Sequence, residues 1–419
     1  MKILLALPRP LFPADTGGKI RTLGIFGRLA RRHDVHAVSF VDPERDADAI
    51  ARMRELFAGY TPVPWRETRT FSPAFYLDFA RSRFSRYPYF LEKYRRPSYR
   101  AAVGALLSRG AFDLLLCDFL HTAAALEEVA FRPRVLFQHN VEYVIRRRHA
   151  EREGNSLKRH LLETEWKKAR DAEAALCRGF DRVVVVSEED RETLQREFAV
   201  TNVSAIPTGV DLDYFRPGAA AVLPGTIVFV GSMDWHPNEE GILWFLEQVY
   251  PEIRRAQPFA SLTLVGRNPS DRIRSAAGRH PAVELTGAVP DVRPYLERAA
   301  AVVVPLRIGG GTRIKIFEAM AMGKAVVSTR IGAEGLPVSD GHDILLADEP
   351  QTLARSVVSL LEDGGLREKI GAAARERVER DHSWEKVALR MAEILESAIG
   401  GPSTRTSPAT EHHAAIVSR

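Results

Sequence analysis

Cysteine is nearly absent: Cys117 and Cys177 are the only two in 419 residues, each inside or beside an apolar segment. That pairing excludes a disulfide framework and argues against a cysteine metal site. It points to buried free thiols in a reducing compartment. No apolar run is long enough to cross a bilayer. Residues 3–7 are too short for the hydrophobic region of a signal peptide, and Pro8-Arg9-Pro10 follows them. The expected location is therefore the cytoplasm, with the inner face of the cytoplasmic membrane as an extension of it. Neither charge sign dominates: the net charge is +5 and hydrophobic residues make up 45%. Such a mildly basic globular composition suits anionic ligands or an acidic membrane surface without demanding either. The first strand is not followed by G-x-G-x-x-G, so a dinucleotide fingerprint is missing too.

What is present is alternation of strand and helix. Residues 2–8 read as a strand, Gly17-Gly18-Lys19 as a loop, residues 20–31 as an amphipathic helix and residues 36–41 as the next strand. Further apolar runs at 112–117, 134–137 and 182–186 continue the pattern. Ser187 reads as a helix N-cap, and one long charged helix is expected over 143–178. A second α/β series starts at Thr226, with strands at 227–230, 261–265, 283–285, 301–305 and 324–328. At 419 residues the chain exceeds one ordinary core. The expectation is an α/β protein of two doubly wound, Rossmann-like domains facing each other across a cleft. Its divisions are a first domain over 1–200, a linker over 201–225, a second domain over 226–380, a terminal helix over 381–400 and a disordered tail over 401–419. Asp211 and Asp213 in the linker read as turn chemistry rather than metal ligands.

The most informative stretch is 301–329: a Val-rich strand, Gly309-Gly310-Gly311, a helix from Ile314, a C-capping Gly323 and another strand. Arg313 and Lys315 fall in the first turn of that helix, where the dipole disfavours cations by roughly 0.3–1 kcal/mol each. A bound phosphate reverses the sign, because turn N–H groups and basic side chains then grip it together. The competing reading is an i,i+3 pair of Lys315 with Glu318 on a solvated face. A second unusual segment, 71–100, interleaves Phe and Tyr with Arg81, Arg83, Arg86, Lys93, Arg95 and Arg96. An ordinary helical pair with core aromatics comes first as an explanation, contact with anionic lipid second and RNA third.

Together these pieces resemble the retaining, family 4 (group 1) glycosyltransferases of the GT-B fold, over nearly the full length. The resemblance rests on the run Gly309-Gly310-Gly311-Thr312-Arg313-Ile314-Lys315-Ile316-Phe317-Glu318-Ala319-Met320-Ala321-Met322-Gly323. It is supported by Ile206-Pro207-Thr208-Gly209-Val210-Asp211 and Phe229-Val230-Gly231-Ser232. The run from Gly231 to Asn238 is similar to a subgroup found with bacterial exopolysaccharide and exosortase-type clusters. The resemblance implies a nucleotide-diphosphate sugar as donor substrate, held by the second domain, and a glycan or lipid-linked acceptor on the first. No cofactor, metal or nucleic acid is implied, and peripheral contact with an anionic membrane fits the basic segment. Glu318 would bind the ribose hydroxyls, Arg313 and Lys315 the diphosphate, and His139 would line the sugar pocket. Gly17, Gly18 and Lys19 would close on the phosphates, while Gly231, Arg267, Val289, Gly309, Gly310, Gly311 and Thr312 would complete the donor site. The last helix would cross back onto the first domain.

Two departures from the family pattern matter. Gly310 stands where the first Glu of the E-x7-E motif belongs, so the sugar cannot be transferred by analogy. Ser232 to Asn238 lacks the usual Arg and Lys, which Arg313 and Lys315 would replace. The implied reaction is transfer with retention, without an enzyme nucleophile. A nucleotide-sugar epimerase of the same fold, or a nucleotide-sugar-binding scaffold with little turnover, are the alternatives.

Overall fold

The computed structural model describes residues 1–69, 72–308 and 314–400. The expected disordered tail, together with Gly309, Gly310, Gly311, Thr312 and Arg313, lies outside them. Seven strands form the first sheet: β1 (Lys2–Leu7), β2 (Asp34–Val41), β3 (Gly59–Pro64), β4 (Leu114–Asp118), β5 (Arg134–Phe137), β6 (Arg182–Val185) and β7 (Val203–Ala205). Six form the second: β8 (Thr226–Val230), β9 (Ser261–Val265), β10 (Val283–Gly287), β11 (Ala301–Val304), β12 (Val326–Ser328) and β13 (Leu345–Leu346). All pairings within both sheets are parallel. The orders are 3-2-1-4-5-6-7 and 10-9-8-11-12-13.

Parallel strands covered on both faces need apolar side chains at successive positions, and these strands have them. In β1, Ile3, Leu5 and Leu7 enter one core while Leu4 and Ala6 enter the other. In β11, Val303 and Val302 divide in the same way between two cores of the second domain. Leu4 lies opposite Leu115, and Val303 opposite Val327, which fixes the register beside each reversal of strand order. Open α/β sheets bind ligands at such reversals, beyond the carboxyl ends of the strands. Here the reversals fall between β1 and β4 and between β8 and β11.

The structure departs from expectation in several places, among them β3, which the sequence pattern did not mark. Gly17-Gly18-Lys19 is not a loop but the first turn of the helix Gly17–Leu29. A Cβ on Gly18 would lie 2.4 Å from the Phe119 ring, so this glycine serves close approach rather than loop freedom. The long charged helix is two, Glu142–Arg152 and Ser156–Gly179. Gly154 interrupts it, and Asn155 caps the second helix by accepting from the Lys158 N–H at 3.0 Å. The segment expected as linker, 201–225, opens with β7, which pairs with β6 and belongs to the first sheet. Finally, β13 adds a two-residue strand outside β12.

Other local expectations agree with the structure. Ser187 accepts from the Asp190 N–H at 3.1 Å as an N-cap. Gly323 has φ +67°, and the N–H groups of Gly323 and Lys324 return to the carbonyls of Met320 and Ala319, a Schellman ending. Asp211 accepts from the Asp213 and Tyr214 N–H groups, turn chemistry as read. Cys117 and Cys177 are buried and unpaired. Tyr87, Tyr94 and Tyr99 are core residues, and Arg83, Arg86 and Arg95 pair with Glu165, Glu127 and Glu128. That half of the aromatic–basic segment is the ordinary helical packing expected first.

The chain returns to its first domain at the end. The helix Trp384–Gly400 packs on Gly17–Leu29 through Trp384, Val387, Ala388, Met391 and Leu395. The Trp384 ring occupies the space that a Cβ on Gly24 or Gly209 would need, 2.5 and 2.4 Å away. Large side chains would expel it. Trp384→Ala leaves a cavity between the terminal helix, the first helix and the linker, and should cost about 3–5 kcal/mol of stability. Urea denaturation checks this; a loss below about 1 kcal/mol would contradict the packing described.

Candidate active site

The two strand reversals face one another. Beyond β11 the helix Ile314–Ala321 begins, and beyond β1 the helix Gly17–Leu29. A Cβ on Gly17 would stand 3.6 Å from Ile314 Cδ1, so the two helix starts meet with a glycine at the contact. Helix starts present unsatisfied N–H groups, and opposed pairs of them favour an anion between.

On the second domain, Lys315 Nζ donates to Asn238 Oδ1 at 2.9 Å and lies 4.4 Å from the Phe229 ring centroid. Asn238 in turn donates to the Ser232 carbonyl at 2.6 Å. A Cβ on Gly231 would come within 2.5 Å of Lys315 Nζ and 2.9 Å of Asn238 Nδ2, so the backbone after β8 runs close beneath this pair. Gly266, after β9, approaches so closely that its Cβ would be 1.9 Å from the Gly231 carbonyl oxygen. Glu318, one turn on from Lys315, is half-buried, and its carboxylate has no hydrogen-bond partner among the described residues. Burial pushes that carboxyl up to about 7 against the opposing pull of Lys315. Lys315 and Glu318 do not form the i,i+3 ion pair that the sequence also permitted. Val289 lies beyond β10, partly buried against the core that contains Phe317.

Ion pairs cross the cleft at two points. Arg267 Nη1 reaches Asp15 Oδ2 at 3.0 Å while its Nε donates to Ser232 Oγ at 3.1 Å. Arg148 makes two bonds to Glu334, at 3.0 and 3.2 Å. Both pairs are partly exposed, so each is worth at most about 1 kcal/mol and holds the cleft only loosely. Lys19 belongs to the first of them, with Nζ 3.2 Å from Asp15 Oδ1. Its Nζ also donates to the Pro13 carbonyl at 3.1 Å, so among the described residues Lys19 anchors the loop that carries Asp15 rather than reaching the second domain. A pocket beside the second pair is lined by Asn140, Val144, Arg148, Asp190, Glu334 and Gly335. Burial pushes Asp190 up to about 6, opposed by a Ser187 hydrogen bond and the Arg21 charge.

His139, expected to line the sugar pocket, is only 2% exposed, and both of its nitrogens are used within the first domain. Nε2 is 2.6 Å from Asp118 Oδ1 and Nδ1 is 3.1 Å from Arg21 Nη1. Arginine can only donate, so Nδ1 accepts and Nε2–H donates to Asp118. Burial lowers the imidazole pKa and Asp118 pulls it back up. The His139 ring stacks 3.9 Å from the Phe119 ring that meets Gly18. Arg21 continues the chain of contacts to Thr208 Oγ1 at 2.9 Å, and Asp118 Oδ2 accepts from Thr22 at 2.9 Å.

Sequence reasoning passed over Arg21, Asp118, Phe119 and Asn238. Asp118 sits at the carboxyl end of a strand, a position that could have marked it; Arg21 lies among helix residues read only for their apolar face. No group of three or more His, Cys, Asp or Glu side chains suited to a metal ion occurs among the described residues.

Comparison with known proteins agrees with this geometry. Sucrose-phosphate synthase from Thermosynechococcus elongatus superposes with a TM-score of 0.71 at 20% identity, over 96% of this chain and 99% of that one. HepE of Anabaena, solved in complex with UDP-glucose, gives 0.69 at 15% identity over 95% and 100%. At these identities the likeness is one of fold. In sequence, a phosphatidyl-myo-inositol mannosyltransferase of Mycobacterium leprae is 30% identical over 216 residues, 48% of this chain and 56% of that protein. An uncharacterised 44.6 kDa protein in the cps region of Klebsiella pneumoniae is 20% identical over 66% of this chain and 72% of its own length. The chain spans 60% of a glycogen synthase of Mycobacterium tuberculosis at 26% identity, so several of these relatives are matched over little more than half their length. The model described as Glycosyltransferase Family 4 matches residues 17–214, and that described as Glycosyl transferases group 1 matches residues 224–363. Two matched models, one on each facing domain, place the chain in the family 4, group 1 glycosyltransferases with the GT-B fold.

Proposed function

We propose that this protein transfers a sugar from a nucleotide-diphosphate donor to a glycan or lipid-linked acceptor with retention of anomeric configuration. The observation that carries the reading is the half-buried carboxylate of Glu318, without a hydrogen-bond partner among the described residues, one helical turn from Lys315 and at the strand reversal of the second domain. A carboxylate there offers two acceptors to a pair of vicinal hydroxyls, as ribose presents. Lys315, Arg267 and the opposed helix starts supply fixed positive potential for the diphosphate, and Arg313 joins them on the family pattern. In the step itself, the bond from the anomeric carbon to the diphosphate oxygen breaks and the acceptor oxygen bonds to that carbon. The acceptor proton passes to the departing phosphate oxygen on the same face. Preorganised cations and N–H groups stabilise the charge that develops on the leaving group, so the step needs neither an enzyme nucleophile nor a metal ion.

A role in exopolysaccharide or cell-envelope synthesis, at the cytoplasmic face of the membrane, is consistent with the basic first domain. Tyr76, Leu77 and Phe84 are exposed, at 57%, 52% and 95%. Lys168 bonds the carbonyls of Ser82, Arg83 and Ser85, and the helix that carries it, Ser156–Gly179, exposes Leu157, Lys158 and Arg159 in its first turn. Apolar tips ringed by cations suit an anionic bilayer surface.

Two experiments test the donor assignment. Glu318→Ala should weaken binding of the nucleotide by about 1–3 kcal/mol, the worth of lost charged hydrogen bonds, in isothermal titration calorimetry. Unchanged affinity would remove Glu318 from the ribose site. The raised carboxyl also sets a pH dependence. With its pKa up at about 7, Glu318 is increasingly protonated in the empty site below that pH. A ligand that needs the ionised form therefore binds more weakly as pH falls from 8 to 6. A nucleotide sugar, whose diphosphate diester does not titrate in this window, should show the fall with wild-type protein and a flat profile with Glu318→Gln. Parallel profiles would contradict the assignment.

A further inference from the structure

The helix Glu142–Arg152, which follows β5, starts without a cap of its own. Its N-cap position is Val141, whose side chain has no oxygen to accept from the first N–H groups. The cap comes from another helix. Glu173, in Ser156–Gly179, is 0% exposed; its Oε1 accepts from the Glu142 N–H and its Oε2 from the Tyr143 N–H, both at 2.9 Å. Gln138, just after β5, donates its side-chain amide to Glu173 Oε1 and to the Asn140 carbonyl. Cys177, one turn on from Glu173, donates to Gln138 Oε1 at 3.3 Å. One buried carboxyl group therefore ties the end of β5 to the start of the helix after it.

The far end of that helix crosses the cleft. Arg148 makes its two bonds to Glu334, in the loop after β12, and Arg152 Nη2 reaches the Arg307 carbonyl, after β11, at 3.5 Å. Arg307 is itself held, with Nη1 3.3 Å from Glu240 Oε1 and its guanidinium 5.3 Å from the Trp244 ring centroid. Beside Glu334, a Cβ on Gly335 would lie 3.4 Å from Ser187 Cβ, so the domains are in contact here. β11 and β12 are the strands before and after the helix Ile314–Ala321, which carries Lys315 and Glu318. One helix of the first domain thus meets the second domain at the ends of both strands.

These contacts depend on the direction in which the helix leaves its cap. At a rise of 1.5 Å per residue, its two ends are about 15 Å apart. A tilt of about 10° at the capped end moves the other end by about 2.6 Å. A hydrogen bond keeps its strength over only about 0.5 Å. The capped end therefore decides whether the arginines reach their partners.

We propose that Glu173 is a positioning residue for sugar transfer, directing Glu142–Arg152 so that Arg148 and Arg152 hold the two segments of the second domain that flank the candidate donor helix. Glu173 acts through those arginines and touches no substrate. Its consequence for transfer rests on the donor reading of Lys315 and Glu318, whereas its hold on the helix does not.

Hydrogen exchange of the full chain, read by mass spectrometry, tests that hold. Glu173→Gln keeps one acceptor oxygen and sets amide N–H groups against backbone N–H groups, so the cap fails. Residues 142–146 should then exchange about five- to tenfold faster, and the segments around Arg307 and Glu334 should also speed up while β1 keeps its wild-type rate. Faster exchange confined to the first domain overturns the proposal, because a purely local cap does that much. Arg148→Ala should by itself raise exchange around Glu334, and adding Glu173→Gln to it should raise it no further there. An equal increment with and without Arg148 overturns the proposal as well. Should Glu173→Gln not fold, Glu173→Asp, which keeps the carboxyl but withdraws it by one methylene, takes its place with the same expected pattern. The consequence for the donor is read by calorimetry. Whichever of UDP and GDP binds wild type should bind the Glu173 variant about threefold or more weakly, and unchanged affinity overturns the role in transfer. If neither nucleotide binds wild type, the donor reading falls, and the exchange pattern alone decides whether Glu173 positions the helix.

Discussion

The seating of Trp384 between Gly24 and Gly209 governs much of the molecule. The ring joins the terminal helix, the first helix and the linker, so the chain's end is anchored in the domain where it began. The strand-like contact of Val210 with Ser383 runs beside it, and His382 Nδ1 bonds the Thr208 carbonyl at 3.0 Å. Thr208 also accepts from Arg21, which donates to His139, which donates to Asp118. On the other side, the His382 ring packs 4.4 Å from Phe317, in the helix that carries Lys315 and Glu318. The linker thus touches the floor of the first domain and the back of the candidate donor helix at once. The partly exposed ion pairs at the cleft rim add little to this junction.

Within that frame, electrostatics divides the labour. The second domain presents one unpartnered carboxylate beside fixed cations, a combination suited to a ligand with hydroxyls at one end and a diphosphate at the other. The first domain buries His121 Nδ1 and Arg146 Nε without a hydrogen-bond partner among the described residues, while Arg146 and Lys93 pair with Glu142 and Glu67. Neither arrangement is explained by stability, since an unmet buried polar atom and a raised carboxyl both disfavour the folded state.

How much of this was legible in the sequence follows from range. The Val-rich run of β11 and the Leu-rich β4 are buried on both faces, so their composition alone announces them. Gly323 and Ser187 act within a few residues, and their capping roles were readable for that reason. β7 and β13 were not, because three and two residues carry no periodicity of their own and are defined by their neighbours. The helix break at Gly154 and Asn155 was hidden in a highly charged stretch with little apolar pattern. Gly18 was read as a loop glycine, although its purpose is to admit Phe119, a residue 101 positions away by number. The partners of His139 were hidden for the same reason: Arg21 and Asp118 are 118 and 21 residues distant, and only the fold brings them together.

The central claim is that the facing helix starts, Lys315 and Glu318 hold a donor whose sugar is transferred. Incubation of the full chain with a panel of radiolabelled nucleotide sugars and candidate acceptors, with separation of the products, addresses it most directly. The account predicts label on the acceptor, or slow release of free sugar when no acceptor is added. Epimerised donor as the product, or nucleotide-sugar binding with no turnover across the panel, would contradict it.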